Sequence, residues 1–174
     1  MSSAPTSRLY ILRHAHAGWA RPGESDHDRR LDARGRAECE RLVVFLRREA
    51  FAFDTVLCST AARTRETLDL IRPALPSGLA EENLSSLYGG EIAAYYEAVR
   101  GQAEATALLV IGHNPMIEEF TLSLAGSGDR AALATASQGF PTGGLAIVEF
   151  EGPLSRIAPG AGRLCRLFDP DEAG

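Results

Sequence analysis

The chain has 174 residues, 45% hydrophobic and 24% charged, the balance of an ordinary globular protein long enough to bury a sizeable core. Its formal net charge is −5, without the basic footprint of a nucleic-acid binder. All 18 cationic side chains are arginine, so any anion site must be built from guanidinium forks, which match phosphate oxygens two at a time.

Cys39, Cys58 and Cys165 are odd in number and form no CxxC pair, so neither a disulfide framework nor a zinc ribbon is expected. No apolar run is long enough to span a bilayer. Residues 1–7 (MSSAPTS) lack the apolar stretch of a signal peptide and read as a disordered, frayed start. These features point to a cytoplasmic protein with one domain over residues 8–168 and a polar tail, DPDEAG, at 169–174.

In chain order, Arg8 to Arg13 reads as a buried strand because Leu9, Tyr10, Ile11 and Leu12 are contiguous. A polar loop follows from Ala17 to Asp32. Ala33 to about Glu49 has helical spacing, with Asp32 as N-cap and Cys39, Leu42 and Leu46 on one face. Thr55 to Cys58 is a second buried strand, and Ser59 is expected to cap the helix after it, which Pro73 and Pro76 end. Residues from about Glu91 to Arg100 form an amphipathic helix, and Ala107 to Ile111 a third apolar strand. Pro115 suits the first turn of a helix running to about Ala125. Leu145 to Phe150 and Arg163 to Phe168 complete the strands. This alternation predicts a three-layer α/β/α fold with a largely parallel central sheet.

In such sheets ligands bind beyond the carboxyl ends of the strands. The first apolar strand ends in Arg13-His14-Ala15-His16, and the second in Cys58-Ser59 before a helix whose first turn holds Arg63. The third ends in Gly112-His113-Asn114-Pro115. If the strands are neighbours, two histidines, at least two arginines and one or two helix N-termini converge, a collection suited to a phosphoryl group.

Several of these segments resemble the histidine phosphatase superfamily, which includes the cofactor-dependent phosphoglycerate mutases, and above all its small branch of SixA-type phosphohistidine phosphatases. The segments are Leu9-Tyr10-Ile11-Leu12-Arg13-His14-Ala15, Asp28-Arg29-Arg30-Leu31 with Gly35, Ser59-Thr60-Ala61-Ala62-Arg63-Thr64 with Glu66-Thr67, and Val110-Ile111-Gly112-His113-Asn114-Pro115, extending to Phe140-Pro141-Thr142-Gly143. The resemblance implies a phosphatase that needs no metal or cofactor, with His14 as nucleophile. Arg13 and Arg63 would hold the phosphoryl oxygens, His113 would be a further donor and Arg29 a fourth contact, with Asn114, Thr142 and Gly143 at the substrate. The implied partner is a phosphohistidine-bearing protein, or alternatively a small phosphate ester. A neutral imidazole among arginines fits that role, since phosphoryl transfer asks mainly for positioning and for stabilised equatorial charge.

The chain departs from the family pattern in three places. Ala15 replaces the glycine of the better-known RHG triplet. His16 stands where many relatives carry another polar residue. No acid aligns as proton donor within Glu81–Tyr88. A phosphoimidazole can be protonated from solvent and leave as neutral imidazole, whereas an alkoxide needs a proton, so a missing acid favours phosphohistidine.

Three other chemistries compete. Cys58 and Arg63 have four residues between them and no glycine, too short for the loop of a cysteine phosphatase. His14 and His16 form an HxH pair without the further ligands of a metallohydrolase. A non-catalytic phosphohistidine-binding module would lack the nucleophile or an arginine, and both are present. His27 is expected to be exposed, and Ser59 and Thr60 to serve as helix caps.

Overall fold

The computed structural model describes residues 6–172. Its strands are β1 (Thr6–Arg13), β2 (Thr55–Ser59), β3 (Ala80–Leu84), β4 (Ala107–Gly112), β5 (Ala125–Gly128), β6 (Leu145–Glu151) and β7 (Gly162–Phe168). The helices are α1 (Ala33–Glu49), α2 (Ala62–Ile71), α3 (Ser86–Gly89), α4 (Ile92–Arg100), α5 (Met116–Leu124) and α6 (Arg130–Gln138). One sheet runs in the order β3-β2-β4-β1-β6-β7-β5. The pairs β3/β2, β2/β4, β4/β1 and β7/β5 are parallel, while β6 runs antiparallel to both β1 and β7.

The contiguous apolar runs arise because β1, β2 and β4 are covered on both faces. Leu9 and Ile11 of β1 join Leu57, Leu108 and Val110 in one core, with Tyr95, Val99, Ile117 and Phe120 from α4 and α5. Tyr10 and Leu12 point the other way, into a core with Val56, Cys58, Leu109 and Ile111 that Leu42, Phe45, Leu46, Leu68 and Ile71 of α1 and α2 complete. Each fully buried aliphatic side chain contributes about 1.5–3 kcal/mol, so the two cores clamp the central strands whose ends carry the site. The result is the expected three-layer α/β/α fold.

The end of β1 lies between β4 and β6. From β1 the chain crosses through α1 to β2 on one side, and from β4 it runs through α5 toward the opposite edge. The crevice between these departures is where a doubly wound sheet opens for a ligand.

Several boundaries differ from expectation. β1 begins at Thr6 rather than Arg8, with Ser7 buried and its hydroxyl donating to the Gly152 carbonyl; residues 1–5 of the expected frayed start lie outside the described residues. Ser59 does not cap α2. The N-cap is Ala61, without a side-chain hydrogen bond, because β2 continues through Ser59. Pro115 is the N-cap of α5, one position before its first turn. Strands β3 and β5 and helix α6 have no counterpart in the hydrophobic pattern: β3 (AEENL) is a mostly exposed edge strand, and β5 (AGSG) has no bulky side chain. In the C-terminal segment Pro170 is buried and Asp171 pairs with Arg34 and Arg41 of α1.

Candidate active site

The end of β1 continues the sheet's bonding just far enough to fix His14. The Arg13 N–H donates to the Gly144 carbonyl and the His14 N–H to that of Gly112. The His14 ring is 8% exposed, and its Nδ1 is 2.7 Å from the Ala15 carbonyl oxygen. A carbonyl only accepts, so Nδ1 carries the proton and Nε2 keeps its lone pair. Arg63 Nε donates to that Nε2 at 3.3 Å. Burial, reinforced by His113, Arg63 and Arg13 against a smaller upward pull from the Ala15 carbonyl, pushes the His14 pKa down to about 3. The ring is an uncharged base with its free nitrogen turned toward a guanidinium.

Arg63, in the first turn of α2, is buried. Its Nη1 donates to the Asp26 carbonyl at 2.7 Å and its Nη2 to the Asp26 carboxylate at 3.2 Å. The same carboxylate lies 3.3 Å from Arg29 Nη1 and accepts the Tyr88 hydroxyl at 3.0 Å. Burial raises the Asp26 pKa, but the Tyr88 hydroxyl and the Arg63 and Arg29 charges outweigh it and hold the group below the ordinary carboxylate range. Asp26 is therefore an anion without a proton to give.

His113 follows β4, 7% exposed, with its ring centroid 5.2 Å from that of His14. Its Nε2 is 2.7 Å from Ser59 Oγ, which explains why Ser59 is buried rather than capping a helix. Burial, then Arg63, push the His113 pKa to about 3, so this ring too is neutral. When the Ser59 hydroxyl donates to Nε2, Nδ1 is the protonated nitrogen. That Nδ1 is buried without a partner, as are Arg13 Nε and Arg29 Nε. Buried polar atoms are rarely left unpaired, and the His113 ring lies against that of His14. Arg13 and Arg29 line a cleft of about 360 Å³ with His14, His16, Trp19 and Thr142. A free imidazole lone pair facing such donors can attack the central atom of a tetrahedral oxyanion while its oxygens are held.

A buried carboxylate braces this arrangement. Glu38 of α1 is fully buried and accepts from the His16 backbone N–H at 2.8 Å, from Thr142 Oγ1 at 2.8 Å and from Arg34 Nε at 3.0 Å. Thr142 therefore lines the cleft with its proton committed to Glu38. Gly143, at φ +66°, donates its N–H to the Arg13 and His14 carbonyls, so it supports the backbone of the site from behind. Asn114 donates its side-chain amide to Glu118 and the Phe140 carbonyl. His16 sits at the rim with Nδ1 2.7 Å from Asp32, which also caps α1. Gly35 allows that approach, since a Cβ there would stand 2.0 Å from the His16 carbonyl oxygen.

His27 is less exposed than expected: it packs edge-on to Tyr88 and lies 3.1 Å from Thr60 Oγ1. Sequence reasoning missed Asp26, Tyr88, Glu38 and the Ser59 contact. Glu38 alone had a signal, because it lies one helical turn before Leu42 on the buried face of α1. Cys58 is fully buried, and burial raises its thiol pKa to about 12, so it offers no thiolate. Among the described residues no three His, Cys, Asp or Glu side chains are grouped to hold a metal ion, and no helix is long and apolar enough to cross a membrane.

Residues 9–84 match the family model of the histidine phosphatase superfamily (branch 1). An uncharacterized protein of Mycobacterium tuberculosis is 36% identical over 162 residues, covering 91% of this chain and 99% of that protein. A solved structure from Agrobacterium tumefaciens, provisionally described as the phosphohistidine phosphatase SixA, is 32% identical with a TM-score of 0.80, covering 94% of this chain and 98% of that one. A second, from Nakamurella multipartitia and described in the same way, is 29% identical with a TM-score of 0.81, covering 97% and 99%. The chain is an enzyme of the hydrolase class. It belongs to the histidine phosphatase superfamily.

Proposed function

We propose that the chain is a phosphohistidine phosphatase of the SixA type, acting in the cytoplasm on a phosphohistidine carried by a protein. His14 Nε2 attacks phosphorus, the P–N bond of the substrate breaks, and its electron pair returns to the departing imidazole. Water then releases phosphate from phospho-His14. Arg13, Arg29, Arg63 and His113 hold the equatorial oxygens, with Asn114, Thr142 and Gly143 keeping the surrounding loops in place.

The observation that carries this reading is a neutral His14 whose Nε2 lone pair meets the Arg63 guanidinium, in a cleft that Arg13 and Arg29 line with their Nε atoms buried and unpaired. Two further features favour phosphohistidine over an ester. The carboxylate bonded to Arg63, Asp26, is ionised and cannot protonate an alkoxide. The solved structures described as SixA align with this chain from end to end, so it has no long insertion to cap the cleft relative to them. Trp19, 94% exposed at the rim, offers an aromatic surface to a protein rather than to a metabolite.

The test is a parallel assay of a phosphohistidine peptide and an aryl phosphate with wild-type enzyme and His14→Ala, with rapid-quench intact-mass detection. The expected result is a higher kcat/KM on the peptide and a transient adduct of one phosphoryl group. Both turnover and adduct vanish in His14→Ala. Turnover surviving His14→Ala would overturn the nucleophile, and equal or better turnover of the aryl phosphate would overturn the substrate.

A further inference from the structure

We infer that Asp26 determines the leaving group this site accepts: its carboxylate receives the distal ring N–H of a phosphorylated imidazole and opposes phosphate esters. This inference rests on the phosphohistidine reading above and assigns one of its contacts.

The geometry is specific. Asp26 opens the short turn Asp26–Asp28 in the loop between β1 and α1, and its side chain is 55% exposed. Arg63 lies between it and the nucleophile, with Nε 3.3 Å from His14 Nε2 and Nη2 3.2 Å from Asp26 Oδ2. The carboxylate thus stands behind Arg63, two hydrogen bonds and the guanidinium itself away from the attacking nitrogen. In-line transfer sets nucleophile, phosphorus and leaving atom in a row, with the reacting atoms about 3–3.5 Å apart before the bond forms. The second nitrogen of a departing imidazole lies on the far side of its ring, at a comparable depth from His14. Tyr88 borders the same position, with its hydroxyl on Asp26, its ring edge-on to His27 and His113, and the Arg63 guanidinium over its face at 5.9 Å. An imidazole entering there meets an aromatic wall and an anion.

The two substrate classes then differ in charge. A phosphohistidine ring protonated on its distal nitrogen is a cation, and Asp26 stabilises that form. The His14–phosphorus bond forms as the P–N bond breaks. The electron pair returns to the leaving nitrogen, and the ring departs neutral with its distal proton still shared with Asp26. No other reactant is consumed in this step. An ester has no N–H to offer, and its leaving oxygen gains negative charge beside the carboxylate. The phosphoryl oxygens of either substrate must compete with Asp26 for Arg63 and Arg29, both of which it already engages, and only the phosphohistidine ring offers an N–H in return. Inorganic phosphate faces the same competition.

Asp26→Asn keeps the shape and can still accept the Tyr88 hydroxyl, but removes the charge. The test measures kcat/KM for a phosphohistidine peptide and for p-nitrophenyl phosphate, and the inhibition constant of orthophosphate, in wild type and Asp26→Asn. The melting temperature serves as the control for folding. The ratio of peptide to aryl phosphate kcat/KM is expected to fall at least about tenfold, the effect of one charge-assisted hydrogen bond. The KM for the aryl phosphate and the orthophosphate constant are both expected to drop severalfold. Should Asp26→Asn lose the fold, Asp26→Ser tests the same loss of charge. A ratio that stays constant or rises, with wild type still preferring the peptide, would overturn this inference alone. A wild-type enzyme without that preference would overturn the substrate reading and this inference with it.

Discussion

Lowering the pH from about 7 to about 5 is expected to destabilise this protein through two rings that its active site keeps uncharged. His14 and His113 are each held at about 3 in the fold, against 6.5 in a free side chain. Above about 6.5 both are neutral whether folded or unfolded and contribute nothing to pH dependence. Below it the unfolded chain binds two protons that the native state refuses, so stability is lost progressively as the pH falls through 6.5 toward 3. At about pH 5 this amounts to about 2 kcal/mol per ring and about 4 kcal/mol for the pair. That is a large share of the ~5–15 kcal/mol holding a typical domain folded. Urea unfolding followed by circular dichroism, across about pH 7 to 5, should show wild-type stability falling with this extra slope. His113→Gln, which removes one of the two protons, should reduce the slope averaged over this range by about 1 kcal/mol per pH unit, and His14→Gln should do the same. If both variants kept the wild-type slope, the reasoning that burial keeps these rings neutral would be refuted.

Three more outcomes follow from contacts around the same rings. Arg63→Ala removes the donor that faces His14 Nε2 and should lower kcat/KM by about 10²–10³-fold, the usual cost of losing a preorganised oxyanion donor; steady-state kinetics on the phosphohistidine peptide checks this. Glu38→Ala strips the acceptor from the His16 N–H and the Thr142 hydroxyl, leaving two donors unpaired, and should cost about 2–5 kcal/mol in urea unfolding. Gly35→Ala drives a methyl group to 2.0 Å from the His16 carbonyl and should destabilise by about 1–3 kcal/mol, while displacing the His14 segment enough to lower turnover in the same assay.

The parts of the molecule that could be read in the sequence are those where burial leaves a pattern. β1, β2 and β4 are covered on both faces, so their residues run apolar without a break, and each run stops at a polar residue of the site. The helix α1 announced itself by spacing and by the Asp32 cap, which the structure shows accepting from Gly35. β3 and β5 left no trace because an exposed edge strand and a strand of Ala, Gly and Ser bury almost nothing. Ser59 was misjudged because a serine before a helix is the ordinary sign of a cap. Its partner, His113, is 54 residues away and is brought near only by the pairing of β2 with β4. Asp26 and Tyr88 had no signal at all, since one sits in a charged loop, the other in a one-turn helix after an exposed edge strand, and only the folded chain brings them to Arg63.

Ala17 and Leu31 pair as an isolated antiparallel bridge at the neck of the loop that leaves β1. That pinch separates what lies inside the loop from the strand and helix on either side. Because closing a flexible segment costs only about 0.6 kcal/mol more for each doubling of its length, residues between Trp19 and Ser25 can be lengthened or exchanged while His14, Asp26 and Arg29 keep their anchors. The tip of the loop and the residues that fix the His14 segment are thereby separable stretches of chain. Sequence changes can therefore accumulate beyond this neck while the backbone that holds the His14 segment stays as it is.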